Sequence, residues 1–92
     1  MYLILVYDIQ LDEKGSRVLR KVFKSCKKYL SHIQNSVFEG ELSTAQFMEF
    51  KIEIKKYLRD GQDSCIVFKG RNKKWMEKEF IIDEEDKTTQ FL

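Results

Sequence analysis

The stretch Tyr2-Leu3-Ile4-Leu5-Val6-Tyr7-Asp8-Ile9 is apolar throughout except at Asp8, and few environments accept such a stretch. A half-exposed strand alternates apolar with polar residues. A continuous run suits a strand covered on both faces, or a central strand beneath helices. The run is also far shorter than the roughly 18 residues a membrane span needs. It lacks a basic leading region and a small-residue cleavage site, so it does not read as a secretion signal. The chain is expected to stay in the cytoplasm, with its first strand bringing one carboxylate to the mouth of a buried element.

After a polar loop, Val18, Leu19, Val22, Phe23, Cys26, Tyr29 and Leu30 recur at steps of three and four residues from Ser16 onward. That spacing predicts an amphipathic helix. Arg17, Arg20, Lys21, Lys24, Lys27 and Lys28 fall on the opposite side of the wheel, so the core face and the cationic face are separated. Between His32 and Leu42 the pattern predicts two short strands or one bent strand, with Gly40 marking a close backbone approach or a bulge. Ser43-Thr44-Ala45-Gln46 has the form of a capping box. It opens a second helix with core residues Phe47, Phe50, Ile54, Tyr57 and Leu58, which Asp60-Gly61 is expected to stop through a left-handed cap. Ser64 to Phe68 reads as a further buried strand, and Glu77 to Ile82 as an additional one.

With 92 residues, no Pro and 4 Gly, the chain is one domain. At this size folding buries a little over ~60% of the extended surface, so core area is scarce and a partner chain would help. Cys26 and Cys65 are too few and too far apart for a disulfide scaffold or a zinc site, and both read as reduced core thiols. The formal net charge of +2 says little by itself, but its distribution is uneven. Residues 1–82 hold 16 basic and 11 acidic side chains, against one Lys and four acids in 83–92. Lys14 to Lys28 contains seven basic residues without an acid, and Lys69 to Lys74 four more. Both are candidate contact surfaces on a domain of residues 1–82, followed by an acidic tail of 83–92.

The order strand, helix, strand pair, helix, strand is the split βαβ pattern. It predicts an α+β, ferredoxin-like βαββαβ sandwich of two helices on an antiparallel sheet. That architecture hosts many activities and names none.

Three motifs narrow the choice: Tyr7-Asp8-Ile9 closing the first strand, Arg17-Val18 early in the first helix, and Gln34-x-Ser36-Val37-Phe38-Glu39-Gly40-Glu41-Leu42 opening the second half. With them the chain resembles the CRISPR-associated protein 2 family from about Leu3 to Leu42, and by pattern as far as Phe68. The resemblance implies a homodimer active in CRISPR spacer acquisition, bridging a larger integrase subunit and holding duplex DNA. It also implies metal-dependent endonuclease activity on single-stranded RNA or double-stranded DNA, which is not uniform across the family.

By that resemblance Asp8 is the metal-binding and catalytic aspartate. Magnesium favours oxygen ligands, often one or two carboxylates with water and substrate phosphate completing the set, and a two-fold axis would bring a second Asp8. The competing reading makes Asp8 an acceptor for the loop that follows it. Arg17 matches a basic family position and grips phosphate, or is one more solvated charge. His32 stands where related sequences carry Arg, and is either a general base or phosphate donor or an ordinary surface residue. Tyr7 is expected to point away from Asp8 into the core, Phe38 to pack, and Ser36 to meet phosphate or close the turn. The stripe of Arg17, Arg20, Lys21, Lys24, Lys27 and Lys28 favours backbone phosphate contact, because like charges without a compensating acid repel until a polyanion binds.

Two classes of function follow: a nucleic-acid scaffold, and a slow magnesium-dependent phosphodiesterase centred on paired Asp8. One carboxylate per chain argues that hydrolysis is weak. A ribonuclease toxin of the VapD type, with the same fold, is the alternative, and a small-molecule sensor has no pocket signal behind it.

Overall fold

The computed structural model describes residues 1–82; the expected acidic tail, 83–92, lies outside the described residues. The elements run β1 (Tyr2–Asp8), α1 (Gly15–Tyr29), β2 (Ser31–Gln34), β3 (Val37–Glu41), α2 (Thr44–Lys55) and β4 (Ser64–Gly70), followed by a short 3-10 turn at Lys73–Trp75. The sheet order is β2-β3-β1-β4, and every neighbouring pair is antiparallel. This is the ferredoxin-like βαββαβ sandwich, with both helices on one face.

β1 is central, as its apolar run predicts, but only one of its faces is sealed within the chain. Leu3, Leu5 and Tyr7 point under the helices and are buried, whereas Ile4 and Val6 on the other face are half-buried. β4 departs from expectation in the same way. It is an edge strand whose Cys65 and Val67 meet the core while Ile66 and Phe68 remain 53% and 54% exposed. The run of Ile, Val and Phe therefore marks an apolar face left open by the helices as well as a buried one.

Residues 77–82 form no strand in the single chain, contrary to the expected additional strand. A strand needs a free ladder edge alongside it. This segment instead lies beside the open face, where Phe80, Ile81 and Ile82 line a shallow depression with Ile4, Ile33 and Val37 while themselves staying exposed. Lys78 bonds Glu39, whose other carboxylate oxygen accepts from the Tyr2 hydroxyl. Burial and that contact raise the Tyr2 hydroxyl to about 12.

α1 starts at Gly15, one residue before the expected start at Ser16, and buries Val22, Ser25 and Cys26. Cys26 and Cys65 are free thiols. Burial raises Cys26 to about 12 and Cys65 to about 11, so both stay protonated and unreactive near neutrality. Gly40 is a close approach rather than a bulge: a side chain there would meet Leu30 at 2.9 Å. The bulge falls in β2, between His32 and Gln34.

The capping box of α2 is formed in both directions, Ser43 accepting from the Gln46 N–H and Gln46 from the Ser43 N–H. The helix ends at Lys55, five residues before the expected stop. The Arg59 N–H, which a continuing helix would aim at the Lys55 carbonyl, is taken at 2.9 Å by the Asp63 carboxylate. Gly61 does adopt a left-handed conformation, φ 77°, but in the following turn and not as the helix cap.

Candidate nucleic-acid and metal site

Strand alternation sets the direction of Asp8. Tyr7 goes to the core, 3% exposed, and Asp8 to the open face at the end of β1, opposite Ser64 of β4. The Asp8 carboxylate accepts no hydrogen bond and forms no ion pair among the described residues. The loop-acceptor role weighed for it falls to other residues. Gln10 donates its N–H to Asp63 Oδ1 at 3.0 Å, and Lys14 donates to Asp12 Oδ1 at 3.2 Å.

What holds that loop is a cluster the sequence reading missed. Arg59 donates through Nη1 to Asp12 Oδ1 at 2.7 Å, through Nη2 to the Gln10 carbonyl at 2.8 Å, and through Nε to Asp63 Oδ2 at 2.9 Å. The Asp63 side chain is fully buried beneath it. Gly15 belongs to the same arrangement, because a Cβ there would stand 2.4 Å from the Gln10 carbonyl oxygen that Arg59 uses. The only local hint is Arg59-x3-Asp63 just past a helix, a spacing more often found within one; Asp12 and Gln10 lie almost fifty residues upstream.

Arg59 hydrogen bonds draw the Asp63 carboxyl down to about 2 and also lower that of Asp12. A carboxyl depressed by folding stabilises the fold above its unfolded value, near 4, and loses that contribution as pH falls towards 2. Asp63→Asn should therefore cost about 2 kcal/mol at neutral pH, since buried donors lose a charged acceptor, or roughly 10 °C in Tm. It should also flatten the loss of stability between pH 5 and pH 2. Thermal melts of both proteins across that range test this, and parallel acid profiles would remove Asp63 as the cause.

His32 does not join Asp8. It sits opposite Phe38 on β3, on the helix side of the sheet, with its ring 4.9 Å from those of Phe23 and Phe38. Its Nε2–H donates to the Asn35 carbonyl at 2.9 Å. This fixes the β2–β3 turn, whose Ser36 carbonyl accepts the Tyr7 N–H at 3.1 Å. Within one chain His32 thus buttresses the strand end beside Asp8 from the opposite face. Phe38 packs, fully buried.

The cationic stripe divides. Arg17, Arg20, Lys21 and Lys24 line one shallow depression on α1. Lys28 is not free, contrary to the expectation of an uncompensated stripe: it pairs with Glu53 of α2 at 2.8 Å. That contact raises the Lys28 ammonium and lowers the Glu53 carboxyl. Lys21 lies 5.6 Å above the Tyr57 ring, and Lys27 is exposed. The stripe faces away from the sheet, with Arg17 in the first turn of α1, at the end of the sheet where β1 presents Asp8.

Among the described residues no three His, Cys, Asp or Glu side chains come together as metal ligands. The donor chemistry of Asp8 still suits magnesium, a hard cation that takes one or two carboxylates and fills its other positions from water and phosphate. One chain supplies one such ligand.

Fold and site define a small ferredoxin-like sandwich with a free carboxylate on its open face and a cationic outer helix. A family model described as CRISPR associated protein Cas2 matches residues 1–78, and the chain belongs to that family. A CRISPR-associated endoribonuclease Cas2 from Fusobacterium nucleatum is 61% identical over 92 residues, all of this chain and 87% of the relative. One from Dictyoglomus turgidum is 38% identical over the full length of both. The crystal structure of Streptococcus pyogenes Cas2 at pH 6.5 superposes with a TM-score of 0.73 at 29% identity, covering 87% of this chain and 100% of that one. No helix among the described residues is long and apolar enough to cross a membrane.

Proposed function

We propose that this protein is a homodimeric, magnesium-dependent endoribonuclease of low turnover that binds nucleic acid on α1 and works in CRISPR spacer acquisition beside a larger integrase subunit. The observation that carries this reading is the unengaged Asp8 carboxylate on the sheet face the helices leave open. Ile66 and Phe68, more than half exposed, lie on that same face. An apolar sheet face of this kind is a protein contact surface, and a second copy placed there would supply the second Asp8. The names of the relatives support ribonuclease chemistry, since those proteins are called endoribonucleases. Magnesium bound at Asp8 would polarise a phosphate and make its water a better nucleophile. Arg17 and its neighbours on α1 hold the strand by its phosphates.

A scaffold that holds duplex DNA without cutting it is the second reading, favoured by the single carboxylate each chain contributes. Incubating the purified dimer with single-stranded RNA and with duplex DNA, with and without magnesium, separates the two. RNA cleavage confined to the magnesium arm supports the enzyme; tight binding with neither substrate cut assigns the scaffold.

Binding should weaken steeply with salt in either case. Four phosphate contacts, from Arg17, Arg20, Lys21 and Lys24, predict a slope of about −3 in log K against log salt. Lys24→Ala should reduce that slope by about 0.8. A salt-independent affinity would remove α1 as the phosphate surface.

A further inference from the structure

Beside the basic cluster, between α1 and the β2–β3 turn, lies a cleft of about 640 Å³ lined by Tyr7, Leu19, Arg20, Phe23, Asn35 and Ser36. Its volume falls within the range of pockets that take small molecules. We propose that this cleft receives an unstacked nucleobase of a single strand whose phosphates lie on the α1 cluster. The proposal rests on the phosphate-binding role given to α1 above, and it specifies which nucleic acid suits the site.

Three features of the lining support it. Leu19 and Phe23, both half-buried, supply apolar walls, the surroundings a base meets in its own stack. The polar groups at the cleft suit the edge of a base: the Tyr7 hydroxyl, the Asn35 amide and the Ser36 hydroxyl between them donate and accept. Arg20 belongs both to this cleft and to the depression it shares with Arg17, Lys21 and Lys24, so a backbone held there passes the mouth of the cleft.

The Tyr7 hydroxyl is the most specific of these groups. Its ring is packed, stacked on Phe38 at 6.1 Å, yet the hydroxyl has no hydrogen-bond partner among the described residues. It is not sealed away either, because no buried side-chain polar atom among the described residues lacks a partner. The hydroxyl is thus reached from the cleft over a small area, Tyr7 as a whole being 3% exposed, and it has an unused donor and acceptor there. Burial raises it to about 12, so near neutrality it is a neutral phenol able to donate as well as accept. Asn35 sits at φ 38°; its backbone carbonyl is used by His32, while its side-chain amide has no hydrogen-bond partner among the described residues. A duplex keeps its bases stacked and paired, so only a single strand, or an opened end, presents a base to this site without a cost in unstacking.

The test uses the full chain without magnesium, an end-labelled short oligouridylate, and an abasic strand of equal length and charge, at one salt concentration. The wild-type protein should bind the base-bearing strand about tenfold more tightly, within the range one base stacked on an aromatic ring contributes. Tyr7→Phe keeps the ring and removes the hydroxyl. Asn35→Gly keeps the left-handed backbone and removes the amide. Together they should bring the preference to about twofold or less while leaving affinity for the abasic strand unchanged. Lys24→Ala should weaken both strands equally. Equal wild-type affinity for the two strands, or a preference that survives both substitutions, overturns the pocket while leaving the phosphate surface standing. No binding of either strand overturns the phosphate surface and the pocket with it. Should Tyr7→Phe fold poorly by circular dichroism, the exposed Asn35→Gly alone decides, with a preference of about threefold or less as the supporting result.

Discussion

Asp8→Asn should lower magnesium-dependent RNA cleavage by roughly 100-fold or more, with little change in fold, dimer formation or affinity for RNA. The size follows from what a divalent cation contributes at a phosphodiester, several kcal/mol of charge stabilisation. About 3 kcal/mol corresponds to a factor of roughly 100 in rate. The amide keeps the shape of the carboxylate and removes its charge, which a hard cation requires. The fold should not register the change, because the Asp8 carboxylate holds no other part of the described chain, whereas Asp63, Asp12 and Glu53 each do. The contrast is the informative part. Asp63→Asn is expected to cost stability and to slacken the loop after β1, while Asp8→Asn costs turnover alone. Cleavage assays across a magnesium titration, with melting curves beside them, separate these outcomes. Undiminished cutting by Asp8→Asn would show that the activity comes from a contaminant or from another site, and the scaffold reading would then stand.

That contrast also explains which parts of the molecule were legible in the sequence. Local chemistry was readable: the capping box at Ser43 and Gln46, the three- and four-residue spacing of α1, and the strand alternation that turns Tyr7 inward and Asp8 outward. The matching of residues far apart in the chain was not. Arg59 meets Asp12 across 47 positions, and Lys28 meets Glu53 across 25; no periodicity records either pair. The end of α2 was misplaced for the same reason, since a side chain from the next turn, Asp63, takes the backbone N–H that the helix would have used. The apolar run of β1 was read as a strand covered on both faces or a central strand beneath helices, and the second is what the chain forms; composition alone does not tell burial by helices from burial by another surface. Ile66 and Phe68 show that a single chain supplies only the first of these. His32 was singled out as a titratable residue near the site, but its pairing with Phe38 turns it to the face opposite Asp8.

Phe38→Ala should cost about 3–5 kcal/mol, the usual range for deleting a fully buried ring, and lower Tm by roughly 20 °C. Phe38 is fully buried, and it joins the aromatic contacts that link three elements: Tyr7 of β1 at 6.1 Å, Phe23 of α1 at 5.4 Å and His32 of β2 at 4.9 Å. The backbone of Tyr7 is tied to Ser36 and the His32 ring to Asn35, which limits how far these two neighbours can close the vacated space. A domain of this length has about 5–14 kcal/mol of stability in all, so the variant should be partly unfolded at 37 °C. Ile66→Ala makes the matching control. Its side chain is more than half exposed on the open face, so within one chain the change should cost less than about 1 kcal/mol. A larger loss that grows as the protein is diluted would locate the missing cover of that face in a second subunit, because the stability of a dimer depends on protomer concentration. Melting both variants over a range of concentrations tests the core and the open face in one experiment. A Phe38→Ala protein that melts within a few degrees of the wild type would mean that the ring is not the keystone of this sandwich.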